Sequence, residues 1–220
     1  MTERVDLYTA AQVQAAERPL LEAGVPLMAR ASRALAALVA AERPHRVLVL
    51  AGAGDNGGDA LFAAAHLAAQ GAAVDVILTA PKHHEAGLAS AIAAGAHVTD
   101  AAAAVARTYE VVFDGILGIG ASGPLRGHPR EVVHSLRSSL SPATRVVAVD
   151  LPSGLGPDDG SADSEVLPAV LTVTFGAVKA GLARGRGPAL AGTVVLVDIG
   201  LDLSGVAPLG TATIDRIIRG

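Results

Sequence analysis

LVLAGAGDNGGDALFAAAHL, residues 48–67, decides the fold of this 220-residue chain. It continues the apolar run RVLVL, Arg46 to Leu50, which is the pattern of a strand covered on both faces. Gly52, Gly54, Gly57 and Gly58 follow, and a helix is predicted from Asp59 to Gln70, stopped by Gly71. Strand, glycine-rich loop and helix in that order suit an anion. The glycines permit positive φ and close approach to the backbone, and the helix N-terminus offers unbonded N–H groups. Polar residues crowd the loop after Gly57, so it is not the usual dinucleotide fingerprint, and no Lys-Ser/Thr pair makes it a Walker A loop. Asp55, Asn56 and Asp59 add side-chain oxygens at a density that suits a hydrated cation or a polyhydroxyl group. The plainer alternative is that Asp55 and Asn56 form a turn and Asp59 caps the helix.

Outward from this segment, β-branched runs alternate with Ala/Leu-rich helical patterns. Helices are predicted over Thr9 to Ala23, with Thr9 as N-cap and a break or kink at Pro19, then over Pro26 to Ala41, Glu85 to Ala94, Ala101 to Arg107 and Pro129 to Leu140. Strands are predicted at Val74 to Leu78, His97-Val98, Glu110 to Asp114, Arg145 to Asp150, Leu171 to Phe175 and Thr193 to Asp198. TIDRIIRG at the end of the chain reads as a last short helix. The alternation implies one α/β domain over residues 1–220, a three-layer Rossmann-like fold whose mostly parallel sheet carries helices on both faces.

Composition narrows the function. The formal net charge is -4 and no run of like charge stands out, which argues against nucleic-acid binding. Arg184 and Arg186 form a small basic spot that suits a solvated loop as well as a phosphate contact. Cysteine is absent, which removes thiolate catalysis and zinc–sulfur sites and fits a reducing cytoplasm. MTERVDLYTA has no apolar stretch of signal-peptide type, and no membrane span is expected. His83 and His84 read as a solvated turn.

Two further strand ends carry polar groups. VVFDGILGIGASGPLRG, residues 111–127, ends a strand at Asp114 and continues into a loop with Gly118, Gly120 and Gly123. In an open parallel sheet, carboxyl strand ends line the ligand crevice. Asp114 there is a base or cation ligand, or it only orders its own loop. VVAVDLPSGL, residues 146–155, ends at Asp150, followed by Pro152, Ser153 and Gly154. Ser153 lacks the G-x-S-x-G context of a hydrolase elbow.

The three motifs together resemble the NAD(P)H-hydrate epimerase family, the YjeF N-terminal domain, over residues 6–202. The family patterns are G-x-G-[ND]-N-G-G-D, D-[AG]-[IL]-[LF]-G-x-G and V-D-[IL]-P-S-G. TVTFGAVKAG, residues 172–181, and GTVVLVDIGL, residues 192–201, match its late strands. This chain has Asp55, Ala60, Ala29 and Val170 where the family more often has Asn, Gly, Glu and Asp. The resemblance implies that the chain interconverts the R and S epimers of hydrated NADH and NADPH. It implies substrate contacts from Asp55, Asn56, Gly57, Gly58 and Asp59, and from Gly118, Ile119, Gly120, Ala121, Ser122, Gly123 and Pro124. It further implies a potassium ion held by Asn56, Asp114 and Ser153, with Asp150 at the reacting ring as the catalytic acid/base. Asp150→Asn is then expected to abolish epimerisation with folding intact. A homodimer, and joint action with an ADP/ATP-dependent NAD(P)H-hydrate dehydratase, follow from the same resemblance. Two other readings compete: a non-catalytic nucleotide-binding or scaffold module of the same fold, and a dehydrogenase with Asp75 as the ribose-binding acid.

Overall fold

The computed structural model describes residues 2–120 and 123–220; Ala121 and Ser122, two of the expected substrate contacts, lie outside the described residues. RVLVL becomes strand β2 (Arg46–Ala51), at the heart of an eight-stranded sheet. β1 (Glu3–Tyr8) precedes it. After it come β3 (Ala73–Leu78), β4 (His97–Thr99), β5 (Val111–Gly115), β6 (Arg145–Val149), β7 (Leu171–Phe175), β8 (Val178–Lys179), β9 (Thr193–Asp198), β10 (Gly210–Ile214) and β11 (Arg216–Arg219). The large sheet has the order β11-β9-β7-β6-β5-β2-β3-β4, and every pairing in it is parallel. The helices are α1 (Ala10–Glu22), α2 (Leu27–Ala40), α3 (Asp55–Ala69), α4 (Glu85–Ala93), α5 (Ala101–Val105), α6 (Gly127–Ser139) and α7 (Gly187–Leu190).

The period of two in the central strands divides the core. Val47 and Val49 of β2 and Val111 and Phe113 of β5 pack with α2 and α3, whereas Leu48, Leu50 and Val112 pack with α5 and α6. Both faces are dry, which is why these strands read as unbroken apolar runs. The chain runs from β2 out through β3 to β4, then returns to place β5 on the other side of β2. The connections leaving β2 and β5 therefore diverge, and a crevice opens at their carboxyl ends.

The ends of the chain depart from expectation. Residues 3–8 are a strand, and TIDRIIRG is not a helix: its residues divide between β10 and β11. Thr and Ile at those positions are stiff at χ1 and fit a pleated surface. β1 pairs antiparallel with β10 and parallel with β8, making a second, three-stranded sheet. Thr9 does cap α1, in a capping box with Gln12, and Pro19 sits inside that helix without ending it. α6 begins at Gly127, two residues ahead of the expected start, with Pro129 in its first turn. No single helix is long and apolar enough to cross a membrane.

Candidate functional site

A cavity of about 370 Å³ opens at the carboxyl ends of β2, β5 and β6. The loop after β2, the first turns of α3, the loop after β5 and Asp150 form its floor and sides, and α1 and α2 complete it with Gln14, Glu17, Leu21 and Met28. Of the expected residues, Asp55, Asn56, Asp59, Gly118, Ile119, Gly120 and Asp150 line this one space.

The glycine-rich loop is shorter than its sequence suggests. α3 starts at Asp55, so Asp55 to Gly58 form its first turn and Asp59 the beginning of its second, which removes Asp59 as a helix cap. Gly54 is the N-cap and no side chain caps the helix, so the first-turn amides stay available to an anion. None of Gly52, Gly54, Gly57 and Gly58 has positive φ. Three of them are required by crowding. A methyl on Gly52 would lie 1.8 Å from the Ile116 carbonyl oxygen, one on Gly57 2.1 Å from that of Gly52, and one on Gly58 2.8 Å from Met28 Cε. Small residues thus bring the helix start hard against the strand end. Gly57 and Gly58 are buried in that packing and do not line the cavity.

Two buried polar atoms here have no hydrogen-bond partner among the described residues: Asn56 Nδ2 and Asp59 Oδ1. Unpaired polar atoms lining a cavity are what a ligand satisfies. Burial pushes the Asp59 carboxyl well above the usual carboxylate range, with Asp150, Asp55 and Glu17 adding repulsion and Lys179 opposing it.

Asp114 is fully buried and spent on backbone. Its Oδ2 accepts from Ser153 N at 2.8 Å and its Oδ1 from Ile116 N at 3.5 Å. Burial pushes its carboxyl up, partly countered by Ser153 and then Ile116. Ser153 Oγ accepts from Leu117 N at 2.9 Å and donates to the Leu117 carbonyl at 3.3 Å. Asp114 and Ser153 thereby tie the loop after β6 to residues 116–117, and Gly118 follows against Asn56, whose Oδ1 would be 3.1 Å from a methyl there. Neither Asp114 nor Ser153 lines the cavity itself.

Asp150 differs. Its backbone is left-handed, φ 67°, a conformation uncommon outside glycine but tolerated by Asp. Its Oδ1 accepts from Thr174 Oγ1 at 3.1 Å and Phe175 N at 3.2 Å, and pairs closely with the ammonium of Lys179. Lys179 is 1% exposed and also donates to the Phe175 carbonyl at 2.8 Å. Among the described residues no hydrogen bond reaches Asp150 Oδ2, so the second oxygen remains for a ligand. Sequence reasoning missed Lys179; the signal was a single cation inside the otherwise apolar TFGAVKAG.

Other expected groups fall elsewhere. Gly123 and Pro124 are exposed and do not line the cavity. Asp75 is held by Arg107 and Tyr109, each at 2.8 Å, which removes it as a ribose reader; burial and that bond push the Tyr109 hydroxyl up to about 12. Arg184 and Arg186 donate to backbone carbonyls of Leu209, Ala162 and Asp163. His84 caps α4 through Gly87 N rather than forming a free turn. No cluster of three His, Asp or Glu among the described residues could hold a metal ion.

Comparison with known proteins agrees with this geometry. The family model for the YjeF-related protein N-terminus matches residues 24–181. A protein of Microbacterium testaceum named NAD(P)H-hydrate epimerase is 58% identical, over 98% of this chain and 88% of its own. One of Clavibacter michiganensis subsp. michiganensis with the same name is 54% identical, over 93% and 94%. A bifunctional NAD(P)H-hydrate repair enzyme, Nnr, of Mycobacterium tuberculosis is 39% identical, and this chain covers 45% of it. The crystal structure of yeast ynu0 (YNL200c) superposes with a TM-score of 0.74 over 94% of this chain and 96% of the yeast chain, at 20% identity, and so shares the fold.

Proposed function

This chain belongs to the YjeF-related N-terminus family, and from that premise we propose that it is an NAD(P)H-hydrate epimerase, an isomerase that interconverts the R and S forms of C6-hydrated NADH and NADPH. One observation carries the reading: the loops after β2, β5 and β6 converge on a single cavity that puts uncapped helix amides and a free carboxylate oxygen in one space.

The chemistry follows from the substrate. Inversion at C6 requires its hydroxyl to leave as water and water to return on the other face. The ring nitrogen's lone pair drives departure by forming an N1=C6 double bond, and returns to nitrogen when water adds. The amides at the start of α3 take the diphosphate, where the helix dipole favours negative charge. Asp150 reaches the C6 oxygen through Oδ2 and exchanges its proton, and Lys179 fixes that carboxylate through Oδ1. Asn56, Asp114 and Ser153 supply oxygen donors with one carboxylate among them, and the orphaned Asn56 amide marks a place for a ligand. That set fits a potassium ion, which would offset diphosphate charge. A homodimer in the cytoplasm, working beside an ATP- or ADP-dependent dehydratase, completes the proposal.

The test uses a mixture of both C6 epimers and a dehydratase specific for the S form. With the protein added, the whole mixture is consumed. Consumption that stops at the S fraction, as with the dehydratase alone, overturns the epimerase reading and leaves a binding module.

A further inference from the structure

Glu17 is the one acidic side chain of the cavity that no motif identified. It lies on α1, whose only buried residues are Ala10 and Val13, and it enters the same space as Asp150 from a different element. Among the described residues it makes no hydrogen bond, so no fold-holding role accounts for it. The groups that face it are Asp55 and Asp59 from α3, Asp150 from the end of β6 and Lys179 from β8. Four carboxyls thus meet one ammonium, before any diphosphate is bound.

α1 is not placed there by chance. It springs from β1, and Tyr8 at the end of β1 is registered opposite Lys179 on β8. The three-stranded sheet therefore sets the helix that carries Glu17 and the strand that carries Asp150's partner relative to each other. Ala10 N also donates to Asp158 Oδ1 at 2.7 Å, which ties the start of α1 to the segment following Asp150.

Resting on the epimerase reading, we propose that Glu17 is a second catalytic acid/base, serving the face of C6 that Asp150 does not. In one direction the Glu17 carboxyl gives its proton to the C6 hydroxyl. The C6–O bond breaks, its electron pair leaves with water, and N1=C6 forms. A water then adds to the opposite face; the new C6–O bond forms as the π pair returns to N1, and Asp150 takes the water's surplus proton. Turnover leaves Glu17 ionised and Asp150 protonated, and exchange with solvent restores both. Nothing is oxidised or reduced. Two groups on two walls spare the ring from turning over in the cavity between the steps. Burial, with repulsion from Asp150 and Asp55, pushes the Glu17 carboxyl up, which keeps it a proton donor at higher pH; Lys179 opposes this. Asp59 is a poorer candidate, because it is buried beside the helix amides and has no ready exchange with water.

Turnover by the unaltered protein tests the epimerase reading; the Glu17 variants test only this assignment. With each purified epimer as substrate, Glu17→Gln is expected to lower kcat about 10²–10⁴-fold while KM changes little. Glu17→Asp recovers part of the loss, and the alkaline fall of kcat in the unaltered protein disappears in the Gln variant. Loss confined to KM overturns the assignment, as does Glu17→Gln turnover within about threefold of the unaltered protein, or an unchanged pH profile.

Discussion

β5 and β6 are neighbouring apolar strands, and each is followed into its loop by an aspartate, yet the two acids are employed in contrary ways. Asp114 is wholly buried and gives its oxygens to Ser153 N and Ile116 N. Asp150 keeps one oxygen for the cavity and satisfies the other with Thr174, Phe175 and Lys179. The backbone makes the difference. Asp114 lies within a strand that continues to Gly115, whereas β6 stops at Val149 and Asp150 turns into the left-handed region. Position at a strand end places an acid near a crevice; what occupies its oxygens decides whether it can react.

The largest effect expected from breaking this comparison is at Lys179. Removing one partner of a buried ion pair strands the other, at a cost of about 3–5 kcal/mol. Lys179→Met and Asp150→Asn should each lower stability in urea unfolding, and the double variant should lose about 1–3 kcal/mol less than the two losses combined. Strictly additive losses would show that the pair is not coupled. This revises the expectation that Asp150→Asn leaves folding intact, since that expectation overlooked the buried ammonium.

Next in size is Asp114→Asn. The amide keeps one acceptor of two, so one of the bonds to Ser153 N and Ile116 N is lost, worth about 1–3 kcal/mol. Stability should fall, with KM rising more than kcat drops as the 116–118 loop loosens. Unchanged urea midpoint and KM would refute the loop-tying role.

The smallest effect has the opposite sign. The folded-state carboxyl of Asp59 titrates above its ordinary value of 3.8 because burial disfavours the charge. Such a group stabilises the fold fully below the unfolded value, and that contribution is lost as pH rises through the folded one. Asp59→Asn should therefore stabilise at pH 7, by about 1–2 kcal/mol, and the gain should shrink as pH falls toward 3.8. A gain that persists undiminished in acid would exclude this cause.

Much of the fold was legible because central parallel strands must be apolar on both faces, and RVLVL, VVFD and VVAVD are. The site's address was legible for the same reason: each run ends in a polar residue. The edges were not. β1, β10 and β11 are half-exposed, mix Thr, Arg and Glu with Ile and Val, and depend on partners about 200 residues away, a distance no local pattern spans. Gly57 and Gly58 concealed the true start of α3, because glycine reads as loop while here it answers crowding from Gly52 and Met28. Lys179 and Glu17 escaped because neither stands in a motif; only the pairing of β1 with β8 and the placement of α1 bring them to Asp150.

That small sheet has a consequence for the order in which the protein can become competent. The stub bearing Lys179 is two residues long and its neighbour is β1, which is in turn flanked by β10, with Glu3 opposite Ile214. A ribosome releases the opening strand first and must hold it unmatched until almost the whole polypeptide has emerged. The large sheet can assemble from β2 onward meanwhile, but the reacting carboxylate gains its fully framed ammonium only when head and tail meet, so chemistry is the last property the nascent chain acquires.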